Sequence, residues 1–289
     1  MTPISYVDVF SARPFLGNPV AVVLDGTGLD SARMQAIARW TNLSETTFCL
    51  PPEAPEADYR LRIFTPSCEL PFAGHPTLGS AHALLQAGRV RPRDGVLVQE
   101  CAVGLVRLTV TQGDARRSLA FDLPPARHQP LTDAEIAEAE ACLGAPLLRG
   151  PWPEIVDVGP RWVVAELADA ASLLGLEPQF QRLAALERQL GATGFTLYAR
   201  HPEGAAAEIE VRSFAPSGGV EEDPVCGSGN GSVAAFRLAQ GRISPDHVYL
   251  ATQGSRMGRD GQIRVTLENG QVRIGGDCVS TVIGTLNLG

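Results

Sequence analysis

Asp223-Pro-Val-Cys226-Gly-Ser228 puts a carboxylate, a thiol and a hydroxyl within six residues, and Gly227, Gly229 and Gly231 lead from it into A-A-F-R-L-A-Q-G-R-I. That run reads as a helix ended at Gly241. Glycines at a helix entrance let backbone N–H groups turn toward an anion, and the positive end of the helix dipole adds to the attraction. A substrate carboxylate or phosphate suits such a place.

The arrangement occurs twice. Gly74-His75-Pro76-Thr77 sets onto Gly227-Ser228-Gly229-Asn230, and the same register carries Ala81 onto Ala234, Leu85 onto Leu238 and Gly88-Arg89 onto Gly241-Arg242. Upstream, F-T-P-S at 64–67 answers F-A-P-S at 214–217. The shared order of strand, turn, glycine, helix and arginine stop points to a duplicated unit, and two such domains facing each other would bring both helix N-termini to one cleft. Features common to the copies are then scaffold, and features of one copy are candidates for chemistry. Glu45 (against Ala192), His75 (against Ser228), Asp223 (against Leu70) and Cys226 (against Ala73) stand out.

Each has a bland alternative. Glu45 precedes apolar and hydroxyl residues, so burial would raise its pKa toward that of a general base; the alternative is a solvent-facing carboxylate at a strand end. His75 either carries a proton and donates to a substrate oxygen, or is an N-cap or packing histidine. His82, one turn on, reads as structural. Asp223 is a second carboxylate for the site or the cap of its own turn. Ser228 is an N-cap by default and an anion donor if the cleft is the site. At a helix N-terminus the Cys226 thiol is expected to have a depressed pKa and to be reactive, although a small packing residue would look the same.

The elements that position these residues follow from periodicity and punctuation. Strands are expected at 4–10 and 20–24, then a helix capped by Asp30 with Met34, Ile37 and Ala38 on one face. Thr46 to Leu50 reads as a strand with Glu45 at its entrance, and Y-R-L-R-I-F alternates as a half-exposed strand. His75 stands as N-cap, Pro76 as first helical residue and Gly88 as the stop. The prolines of L-P-P-A-R-H-Q-P, 123–130, mark a linker. Beyond it, Thr132 and Glu135 form a capping box for a helix to Leu143, and 177–190 reads as another helix. Strands are expected at 162–166, 193–198, 209–214, 249–252, 262–267, 271–274 and 279–288.

The 289 residues suffice for two domains, and 44% hydrophobic content is ordinary for a globular protein. No apolar run has the length of a membrane span and no signal-peptide pattern opens the chain, so a cytoplasmic protein is expected. A net charge of −8, with scattered positive residues and only 6% aromatics, argues against nucleic acid as a partner. Six cysteines show no metal-ligand spacing and read mostly as buried thiols. All 24 basic residues are arginine, which excludes a Schiff-base lysine and a Walker A loop.

Taken together, D-V-F-S-A-R-P-F-L-G-N-P-V-A-V-V, N-L-S-E-T-T-F, E-L-P-F-A-G-H-P-T-L-G-S-A-H and E-D-P-V-C-G-S-G-N-G, in this order along nearly the whole chain, resemble the phenazine-biosynthesis PhzF-like family, which shares the diaminopimelate epimerase fold. The resemblance implies an α+β fold of two pseudo-symmetric domains, each a curved, mostly antiparallel sheet wrapped around a central helix. The expected bounds are 1–122 and 123–277, with a final strand, 278–289, returning to the first domain. It implies a homodimer and cofactor-independent general acid–base catalysis, with no metal. Its catalytic glutamate falls on Glu45, its histidine on His75, its aspartate on Asp223 and its serine on Ser228, with the substrate carboxylate held by backbone N–H groups at Gly74, Gly227 and Gly229. Cys226 departs from the threonine usual in PhzF-like proteins. Related racemases use a cysteine there, paired with one where this chain has Ala73. The expected activity is an isomerase of the dihydro-hydroxyanthranilate type acting on a small carboxylate-bearing substrate. The alternatives are an amino-acid or hydroxy-acid epimerase, racemase or dehydratase using Cys226, and a non-catalytic binder of small acids.

Overall fold

A computed structural model describes residues 1–112 and 117–288. The chain forms two compact units, Met1–Asp122 with Gly275–Gly289, and Leu123–Ile274. Gly289, the end of the expected final strand, lies outside the described residues.

In the first unit β1 (Thr2–Val9) runs antiparallel to β2 (Asn18–Val23). Helix α1 (Ser31–Thr41) makes the crossover from β2 to the parallel strand β3 (Glu45–Leu50), which sets Val20 opposite Glu45. Antiparallel β4 (Tyr59–Phe64) and the short β5 (Glu69–Leu70) follow. Helix α2 (Gly74–Gln86) then leads to β6 (Val96–Cys101), parallel to β4, and the antiparallel strands β7 (Gly104–Gln112) and β8 (Arg117–Asp122).

The two helices solve different problems. Asp30 caps α1 by accepting from Arg33 N at 2.7 Å, and the buried Met34, Ile37 and Ala38 join Ile4, Ala21, Val23, Phe48 and Phe64 in one core. Only one stripe of α1 needs to be apolar. Helix α2 is buried at nearly every position from Gly74 to Leu85 and packs on β1, β2, β3 and β8, so apart from His75, His82 and Gln86 its residues are small or apolar.

The second unit repeats much of this order. It begins with β9 (Arg127–Pro130), α3 (Asp133–Leu143) and the antiparallel strands β10 (Glu154–Asp157) and β11 (Arg161–Glu166). Helices α4 (Ala170–Leu174) and α5 (Phe180–Leu190) cross to β12 (Gly194–Arg200), parallel to β11 as β3 is to β2. After β13 (Ile209–Ala215) and β14 (Val220–Asp223) comes α6 (Gly227–Ala239), then β15 (Val248–Gln253), parallel to β13, and antiparallel β16 (Gly261–Glu268). Helix α6 begins and ends in the register read from the sequence, Gly74 on Gly227 and Gln86 on Ala239. Leu183, Leu186, Phe195, Leu197 and Phe214 are part of the core beneath α3, α4 and α5.

Several expectations need correction. Arg127–Pro130 is a strand paired with β10, so the proline-rich stretch is not simply a linker; Pro130 is its last residue, where a missing N–H costs little. The helix expected from 177 starts at Phe180, and α4 precedes it. The two strands expected at the end are one, β17 (Gln271–Leu286), whose later part pairs antiparallel with β1. Of the cysteines, Cys49, Cys142 and Cys226 are buried, Cys101 and Cys278 are intermediate and Cys68 is exposed; all are free thiols. Among the described residues no helix is long and apolar enough to cross a membrane, and no cluster of His, Cys, Asp and Glu has the arrangement of a metal site.

Candidate functional site

In the first unit the parallel β2–β3 ladder brings Glu45 to the start of β3, and α2 begins beside it. His75 Nε2 lies 3.2 Å from Glu45 Oε2, with the two side chains only 6% and 15% exposed. Burial pushes the His75 pKa down to about 3, against the opposing effect of a hydrogen bond with the Pro19 backbone. Proline has no N–H, so the imidazole donates to the Pro19 carbonyl. At neutral pH the histidine is therefore an uncharged ring held against a carboxylate.

His75 is not the N-cap. Ala73 holds that place in an extended conformation and offers no side-chain hydrogen bond, while Gly74, His75 and Pro76 are the first three helical residues. The helix starts two residues earlier than a polar cap at His75 would place it, because a helix packed on nearly every face does not need a side-chain cap. The first intrahelical bond is Thr77 N to Ala73 O, and Pro76 has no N–H, so Gly74 and His75 carry the N–H groups without an intrahelical acceptor. His82 is the structural histidine expected: both ring nitrogens are buried away from hydrogen-bond partners, and desolvation pushes its pKa down to about 4.

In the second unit Asp223 ends β14 and turns back on its own loop, accepting from Val225 N at 3.0 Å and from the Cys226 thiol. Desolvation pushes its carboxyl up to about 6. Cys226 is the N-cap of α6, and its Sγ accepts from Gly229 N at 3.3 Å. The expected low thiol pKa is overturned. Burial comes first and the neighbouring Asp223 charge second in driving it well above the ordinary value, and both outweigh the N–H of the helix start.

Ser228 is likewise not the cap. It sits at the second helical position, where its Oγ accepts from Trp162 Nε1 at 3.0 Å and lies 3.6 Å from Cys226 Sγ. The indole has only a donor to give, so it occupies a lone pair and leaves the serine O–H to donate. Gly229, expected among the anion donors, gives its N–H to Cys226 instead; Gly227 and Ser228 carry those without an intrahelical acceptor. What Gly229 supplies is space, since a Cβ there would stand 2.8 Å from both Ser213 Oγ and Thr196 Oγ1. Trp162 went unnoticed as a site residue because nothing in β11 marks which face its indole takes.

The structure thus brings Glu45 and His75 together at one helix start, and Asp223, Cys226 and Ser228 together at the other. Each set has a carboxylate, a neutral partner and a helix N-terminus, which is equipment for moving a proton on an anionic molecule.

The sequence profile of the phenazine biosynthesis-like proteins (PhzC-PhzF) matches residues 7–284. The chain is 40% identical to antisense-enhancing sequence 1 of Schizosaccharomyces pombe, covering 91% of this chain and 89% of that protein. It is 34% identical to the trans-2,3-dihydro-3-hydroxyanthranilate isomerase of Pseudomonas aeruginosa, covering 93% and 91% respectively. Among solved structures, a PhzF-family phenazine biosynthesis protein of Bacillus anthracis superposes with a TM-score of 0.88 at 22% identity, over 99% of both chains.

Proposed function

The chain belongs to the phenazine biosynthesis-like protein family, and from that premise we propose that it is an isomerase moving a proton on a small carboxylate-bearing substrate by general acid–base catalysis, without a cofactor, in the manner of a dihydro-hydroxyanthranilate isomerase. The observation that carries this reading is the Glu45–His75 pair, 3.2 Å apart and largely shielded from water. Glu45 takes a proton from a carbon activated by an adjacent carboxylate or conjugated double bond. The electron pair of that C–H bond moves into the conjugated system, and the proton returns at another carbon of the same molecule. One C–H bond breaks and one forms, so no oxidant or reductant is needed.

Because the single N–H of neutral His75 is given to Pro19, its Nε2 faces Glu45 as an acceptor, 3.2 Å away, and can take a hydrogen bond from the Glu45 O–H once the proton has been abstracted. Asp223, titrating near 6, can hold or release a proton at physiological pH, and the Ser228 O–H donates to a substrate oxygen. Backbone N–H groups of Gly74, His75, Gly227 and Ser228 are the donors offered to carboxylate oxygens. A thiol-based racemase is less well supported, because Cys226 is kept protonated and Ala73 supplies no second thiol. A homodimer is part of the proposal and is checked by analytical ultracentrifugation.

The test is incubation in deuterated water with dihydro-hydroxyanthranilate, proline, hydroxyproline and diaminopimelate, following deuterium uptake and product by mass spectrometry. The expected result is uptake into the cyclohexadiene acid with product formation, abolished by Glu45→Gln. Uptake into an amino acid that survives Glu45→Gln and is lost with Cys226→Thr would replace the isomerase by a thiol epimerase. Tight binding without uptake would replace it by a binding protein.

A further inference from the structure

Outside the residues assigned above, one buried amide touches the Asp223–Asn230 segment at three points. Gln253 is the last residue of β15 and is 1% exposed. Its Oε1 accepts from Cys226 N at 3.1 Å and from Asn230 Nδ2 at 2.8 Å, while its Nε2 donates to Asp223 O at 3.0 Å. A second bond from Asn230 Nδ2, to Cys226 O at 2.9 Å, closes the network. The Gln253 side chain thus does for this turn what a neighbouring strand would do, accepting from one backbone N–H and donating to one backbone C=O. Pro224, between the two, has no N–H to contribute.

The platform beneath the amide is stiff. The Gln253 backbone stands in register with Val211 of β13 on one side and Gly261 of β16 on the other. The next residue, Gly254, has φ +99°, and a Cβ there would lie 2.4 Å from Pro224 O; a Cβ on Gly261 would lie 2.4 Å from Val225 Cγ2. Backbone and side chain both press the segment from the same side.

We propose that Gln253 is the positioning residue of this site: without touching substrate, its amide fixes where the Asp223 carboxyl and the first N–H groups of α6 point. The assignment rests on the reading of Asp223 and Ser228 as site residues. A turn released by a fraction of an ångström to an ångström would still fold yet would misplace the proton relay, and such a displacement costs about 100-fold in rate.

The variants are Gln253→Met, which has similar volume and no hydrogen bonds to the turn, and Gln253→Glu, which keeps the two acceptor contacts, loses the donor to Asp223 O and adds a charge. Two readouts are taken on protein whose thermal unfolding shows it folded. One is turnover of the compound that the wild type converts. The other needs no substrate: the titration of the Asp223 carboxyl carbon by 13C NMR, its signal identified by its absence in Asp223→Asn.

Expected for Gln253→Met are kcat reduced by about 100-fold with KM changed far less, and an Asp223 midpoint displaced from its wild-type value. For Gln253→Glu the like charge raises that midpoint by about one unit, with kcat recovered partway toward wild type at neutral pH. Wild-type midpoints in both folded variants overturn the proposal whether or not any compound is converted. If the midpoints move but the wild type converts nothing, the positioning role stands and the isomerase reading falls.

Discussion

The starts of α2 and α6 offer the same thing by different means. Each helix has two leading N–H groups without an intrahelical acceptor, on Gly74 and His75 in one and on Gly227 and Ser228 in the other. In α2 the third donor is absent because residue 76 is proline; in α6 it is present on Gly229 but taken by the thiol of Cys226. A pair of N–H groups without an intrahelical acceptor therefore belongs to the repeated scaffold, and the proposed chemistry lies in what differs around it. Glu45 and His75 stand at α2, and the corresponding places in the second half are Ala192 and Ser228. Asp223 and Cys226 stand at α6, where the first half has Leu70 and Ala73.

The sharpest way to test this division is to remove the group that only one copy has. Glu45→Gln keeps the size and most of the hydrogen-bonding capacity of the side chain but cannot take a proton. Its deuterium exchange is expected to fall by about 10²–10⁴, the usual contribution of a general base, with thermal unfolding little changed. Exchange retained within a few-fold would mean that the distinctive carboxylate of the first copy is not the base.

The two starts also respond to pH with opposite sign. His75, with a folded pKa of about 3, is neutral in the native protein across the range in which the unfolded chain, near 6.5, takes up a proton. Its contribution to stability is therefore present above about 6.5 and is lost as the pH falls toward 3. Asp223, with a folded pKa of about 6 against roughly 3.8 unfolded, binds its proton more tightly in the native state. Its contribution is present below about 3.8 and is lost as the pH rises through 6. Asp223→Asn is accordingly expected to gain on the wild type between pH 4 and 8 by about 3 kcal/mol, and His75→Asn to gain on it as the pH falls from 7 to 4. Urea denaturation at a series of pH values measures both. Parallel wild-type and Asp223→Asn curves would remove the desolvated carboxyl from the account of α6.

How much of this was legible depends on how local each interaction is. The Asp30 cap and the Thr132–Glu135 capping box join residues three apart, so sequence spacing alone found them. The register between α2 and α6 was likewise readable, because an ungapped offset survives low identity. The thiol of Cys226 was misread, since a helix N-terminus is a local feature while the burial that overrules it comes from distant parts of the chain. Gln253 and Trp162 act on residues 27 and 66 positions away, and neither a motif nor a periodicity marks such a contact. The cap of α2 was missed for a related reason: a polar residue was expected where packing of the whole helix lets alanine serve.

That alanine gives the smallest and most discriminating test. The second helical residue, His75, has an N–H that an N-cap oxygen can reach, and the third, Pro76, has none. A serine at position 73 would therefore cap α2 through the His75 N–H, using one of the two donors proposed to hold the substrate carboxylate. Ala73→Ser is expected to stabilise the protein by about 1 kcal/mol while raising KM for a carboxylate substrate several-fold, with kcat much less affected. Calorimetry and steady-state kinetics on the same preparation measure the two effects. Stabilisation without a change in KM would show that the uncapped start of α2 is a feature of folding alone, and would leave α6 as the one helix start that holds the substrate carboxylate.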